Sequence, residues 1–211
     1  MLFRSLPREE RREPAAKSVG GDSATGPRVA AWVYGMLAVC LTLSSVISAI
    51  VSVFLLNFLE ARGMALAAAV GLAALVVPSQ VGARVAEMLL GQRFHPVWTM
   101  VLATVLVAAG LGVLLAGLPL VAAGLVAYGA GVGIRSIARG TLPMALFGPV
   151  GYATLMGRLA MPSIIAQSLA PVAAAWLIEQ SGVPAALWAL EILALANVAA
   201  ALALVPAARR N

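Results

Sequence analysis

The chain has 211 residues, 62% of them hydrophobic and only 10% charged, with a formal net charge of +6. A soluble domain carries about 25% charged residues, so this composition excludes a water-soluble globule and makes the lipid bilayer the solvent. Apolar runs of about 20 residues exclude a barrel of alternating strands around a polar lumen, and leave helices, whose backbone hydrogen bonds close within the segment.

Residues 1–28 form a polar tail holding Arg4, Arg8, Glu9, Glu10, Arg11, Arg12, Glu13, Lys17 and Asp22. Charges fill the place where a signal peptide would have its apolar core, so the tail reads as a disordered cytoplasmic segment. Residues 29–211 read as one transmembrane domain. The first span is expected within 29–59 and the second over 64–90. The stretch 94–134 carries no Asp, Glu, Lys or Arg. At about 1.5 Å per residue it is roughly 60 Å long, twice a bilayer core of about 30 Å. It therefore divides at Gly117-Leu118-Pro119 into a third span (97–116) and a fourth (118–134). The fifth is expected over 162–178 and the sixth over 184–205. Residues 141–157 are apolar too, but hold Pro143, Gly148, Pro149 and Gly151 between Arg139 and Arg158. They are expected to form an interfacial loop. Six spans put both termini on one side. That side then holds 13 of the 14 basic residues, with Arg62 alone opposite. By the positive-inside rule the termini are cytoplasmic, and the protein is expected in a plasma (bacterial inner) membrane. Because the basic residues set orientation in this way, no nucleic acid partner is expected.

Enzyme chemistry finds few side chains. Cys40 is the only cysteine, His95 the only histidine and Asp22 the only aspartate. No disulfide, catalytic pair or metal cluster follows from such a supply, and no cofactor is expected. Polar residues inside the spans are more informative, because lipid burial of them is costly. Gln80, Arg84 and Glu87 fall on one helical face by their spacing of four and three, with Arg84–Glu87 read as a structural ion pair or gate. Ser44, Ser48 and Ser52 recur every four residues, with Ser45 beside them. Such a stripe serves close packing or lines a cavity. Ser163, Gln167 and Ser168 lie in the fifth span. Glu191 lies about two turns into the sixth, as a proton-coupling carboxylate or one bonded near the outer interface. Gly129 and Gly133 form a small-xxx-small pair.

The second span carries Pro78 and Gln80, and the fifth carries Gln167 and Pro171, in reversed order. This predicts two inverted three-helix repeats, in which broken helices at corresponding positions mark a transport path. Several motifs add a family resemblance: Glu60-Ala61-Arg62-Gly63, then Gln80-Val81-Gly82-Ala83-Arg84 leading to Gly91-Gln92-Arg93. Further on come Arg139-Gly140-Thr141-Leu142-Pro143 and Gly157-Arg158-Leu159-Ala160. With these the chain resembles the C-terminal six-helix half of a major facilitator superfamily transporter, over most of 29–206. The loop motif departs in detail, Glu87 falling one place late and Gly91 displaced. The resemblance implies that the charged tail matches the linker between halves, and that the first, second, fourth and fifth spans line the cavity. It implies alternating access for a small-molecule substrate, with a partner half or a second copy. Ser44, Ser48, Gln80, Arg84 and Gln167 are the expected cavity residues. The rival expectation is a truncated, non-transporting membrane fragment or a membrane interaction module.

Overall fold

The computed structural model describes residues 31–90, 95–117, 120–149 and 151–208; the tail of residues 1–28 and the terminal arginines lie outside them. Every regular element among the described residues is helical. In chain order these are α1 (Ala31–Glu60), α2 (Leu66–Ala73), α3 (Val76–Leu90), α4 (Pro96–Ala116), α5 (Val121–Phe147), α6 (Tyr152–Ala203) and α7 (Val205–Ala208). Five helical segments are long and apolar enough to cross a membrane, α2 and α3 counting together as Leu66–Leu89.

α6 is not one straight rod. At 52 residues it would extend about 78 Å. Ser163 in its first part pairs with Thr42 at 3.3 Å, and Asn197 in its last part donates to Ser44 at 2.8 Å. Thr42 and Ser44 share one turn of α1, whereas positions 163 and 197 on a straight helix would lie about 50 Å apart. The helix therefore folds back on itself, at Gly182, whose φ of 80° and ψ of 170° are non-helical. The limbs 152–181 and 183–203 run antiparallel against α1.

α1 packs on α6, α4 on α5 and α6, and α3 on α5. Val33, Val97, Leu146, Leu159 and Leu204 share one buried cluster. The starts of α1, α4 and α6 thus meet the end of α5 and the end of the described chain at one end of the bundle. At that end Pro96 opens α4, and His95 caps it, its Nδ1 accepting from the Val97 amide at 3.2 Å. Glycines set the closest approaches. A Cβ at Gly129 would lie 2.6 Å from the Val76 carbonyl oxygen, and one at Gly133 would collide with the Gln80 backbone. The expected small-xxx-small pair is thus the seat of α3 on α5.

The fourth span is longer than expected. It does not stop at Ile134 but continues through Arg135, Arg139 and Pro143 to Phe147. Among its described residues, the expected interfacial loop 141–157 is instead the last turns of α5 to Phe147 and the opening of α6 from Tyr152. Proline removes one i→i−4 bond and crowds the carbonyl four residues back, yet α5 continues through Pro143 for one more turn. Here the Tyr152 hydroxyl donates to the Gly140 carbonyl at 2.8 Å, beside the position Pro143 leaves open. The fifth span likewise begins at Tyr152 rather than Pro162.

Candidate functional site

The polar centre of the bundle is built on four helices. α5 supplies Arg135, fourteen residues from Val121 and twelve from Phe147, and so at mid-helix. α1 supplies Ser44 and Ser48, the expected one-turn stripe. α4 supplies Thr104, and the second limb of α6 supplies Asn197. Together with Ala103 and Val107 they enclose a cavity of about 10 Å³, room for a single water-sized species.

Two hydrogen bonds order this centre. Arg135 Nη2 donates to Ser48 Oγ at 2.9 Å, and Asn197 Nδ2 donates to Ser44 Oγ at 2.8 Å. Asn197 is only 2% exposed and Ser44 only 4%. Ser45, Ser52, Ser79 and Ser168 return their hydroxyl protons to carbonyls on their own helices. Ser44 and Ser48 do not; each accepts a bond from another helix. Thr104 gives its proton to the Val101 carbonyl at 2.9 Å. Arg135 Nε and Asn197 Oδ1 are buried without a partner. Tyr128, Arg139 and Cys40 lie near Arg135, and among the described residues no carboxylate joins them.

The other expected site residues lie elsewhere. Gln80 is half-buried on α3, while Arg84 is exposed one turn further on. Glu87 accepts from the buried Thr99 hydroxyl at 2.8 Å, tying α3 to α4. Gln167 is exposed on the first limb of α6. Since α3 sits on α5 and that limb on α1, the two glutamines occupy separate flanks. Glu191 is half-buried, with one oxygen toward Gly112 of α4 and the other, Oε2, buried without a partner. Arg62, at the end of the bundle away from the starts of α1 and α4, donates to the Leu115 carbonyl. Of the expected cavity residues, then, the structure gathers Ser44 and Ser48 around Arg135.

Arg135 and Asn197 were not among the expected site residues. Arg135 was missed because the expected fourth span stops one residue before it, at Ile134, whereas α5 continues to Phe147. Asn197 carried a usable signal: it is the only amide side chain in the last span, where an unpaired polar group is costly. Compared with family models, curated proteins and solved structures, the chain matches none.

Proposed function

We propose that this chain is one half of a secondary transporter of the major facilitator type. It has six spans, arranged as two inverted three-helix repeats, and moves a small solute by alternating access with a partner half or a second copy. It resides in a plasma (bacterial inner) membrane with both termini cytoplasmic. The sixth span comes from counting the limbs of α6 separately, at about 45 and 31 Å each long enough to cross a core of about 30 Å. All basic residues except Arg62 and the mid-bundle Arg135 then fall toward the terminal side.

The observation that carries this reading is the uncovered middle helix of each triplet. Only 6% of the apolar window in Leu66–Leu89 is buried, against 56% for α4. The α6 first limb has a similar bare face, with Gln167, Ser168, Leu169 and Val172 exposed. Each middle helix leans on the first helix of the other triplet, α3 on α5 and the limb on α1, as an inverted repeat requires. Exposed amide and guanidinium groups at Gln167 and Arg84 are unfavourable against lipid. A second half that reaches both flanks covers these groups.

Proteoliposomes holding the full chain, alone or with a coexpressed N-terminal half, should show saturable uptake or efflux in a screen of labelled small solutes. Gln167→Cys in native membranes should crosslink to a second subunit. Monomer alone, with no copurifying membrane partner and no flux, would leave the non-transporting fragment standing. Topology has its own check. In a Cys40→Ala background, single cysteines at Ser23 and Ser181 should react with an impermeant thiol reagent from opposite sides. Reaction from one side removes the six-span arrangement.

A further inference from the structure

We propose that the cavity at Arg135 is a binding site for one small monovalent anion of the halide class, held by the Arg135 Nε–H and the hydroxyls of Ser44 and Ser48. The inference rests on the cavity alone and stands whether or not the chain transports anything.

Charge comes first. Arg135 sits at mid-helix in a segment apolar enough to span a membrane, where a guanidinium is costly unless paired. Its one side-chain partner, Ser48, is neutral, and its ionisable neighbours are a phenol, a thiol and a second arginine. No carboxylate among the described residues reaches this centre, so the counter-charge comes from a ligand.

Donor geometry agrees. A hydroxyl that accepts a hydrogen bond retains its own proton to donate. Ser48 accepts from Arg135, and Ser44 accepts from Asn197. Neither proton is taken by a carbonyl of α1, unlike those of Ser45 and Ser52. With the unpartnered Arg135 Nε–H, the cavity gathers three donors, of which the Ser48 hydroxyl also lies beside the Tyr128 phenol.

Size sets the class. A cavity of about 10 Å³ accommodates one water-sized species. A monatomic anion fits with small side-chain adjustment, whereas sulfate or phosphate does not.

The test uses the purified full chain in detergent and follows its thermal midpoint. Potassium chloride is titrated against potassium gluconate and potassium sulfate at matched ionic strength. Chloride should raise the midpoint saturably, with gluconate and sulfate flat. Arg135→Gln should abolish the chloride response. Should that variant fail to fold, Ser48→Ala carries the test, with a half-saturating chloride concentration raised about tenfold, as expected for loss of a hydrogen bond to a charged group. Crystals grown in bromide should show anomalous density beside Arg135 Nε. The proposal is overturned by equal responses to chloride and sulfate, by an unchanged chloride response in the variants, or by a water with no bromide at that position.

Discussion

Gly133→Val should detach α3 from α5 and leave little monodisperse protein after detergent extraction. The reason lies in what the new side chain would meet. At Gly133 it meets the Gln80 backbone, and one turn away the Gly129 seat leaves 2.6 Å to the Val76 carbonyl. Backbone cannot rotate aside as a side-chain tip does. Overpacking costs about 1–3 kcal/mol where neighbours can shift, and more where they cannot. α3 has little else to hold it, since its main contact is with α5 and its tie to α4 is the Thr99–Glu87 hydrogen bond. Gly82→Ala on the same helix is the control. Nothing lies within 4 Å of that position, and alanine is favoured over glycine in a helix by up to about 1 kcal/mol. A Gly133→Val protein melting with the wild type would mean that the seam does not hold α3.

The second large effect is expected at Gly182. Its φ of 80° and ψ of 170° lie in a region open almost only to glycine, where other residues are strained by about 1–3 kcal/mol. Gly182→Ala can relax only by straightening or bending the chain there. The limbs are anchored to one turn of α1 through Thr42–Ser163 and Ser44–Asn197. Relaxation must therefore break an anchor or distort α1. A marked fall in thermal midpoint should follow, larger than for Gly151→Ala. Gly151 also has a positive φ, 72°, but its ψ of 12° is near the left-handed region that other residues enter at moderate cost. Equal midpoints for wild type and Gly182→Ala would remove the hinge from the stability argument.

How far these features can be read from sequence depends on their range. Lipid solvation makes helix presence a local property of composition, so the expected 97–116 and the observed Pro96–Ala116 nearly coincide. The end of α5 was misjudged because Arg135, Arg139 and Pro143 look like boundary markers. Bundle interiors accept an arginine where partners gather, and one missing hydrogen bond near a terminus does not end a helix. Ser44 and Ser48 are legible as a stripe because their spacing is local. Their partners are not. Ser48 meets a residue 87 positions away and Ser44 one 153 positions away, and nothing in either neighbourhood encodes that meeting. Gln80 and Gln167 show the converse, since matched local patterns put them on flanks that a single chain does not bring together.

The mid-helix arginine also bears on how the chain enters the membrane. α5 is the least apolar of the five spanning segments, and an arginine at a helix centre opposes insertion by about 2.5–3.5 kcal/mol. When α5 leaves the ribosome, its hydroxyl partner on α1 has already been made, whereas Asn197 has yet to be synthesised. α5 therefore commits to the bilayer most favourably when α1 waits beside the translocon to receive Arg135, and α6 closes the centre last. The hydrogen bond from Arg135 to Ser48 is thus the contact through which α1 offsets part of the cost of inserting α5.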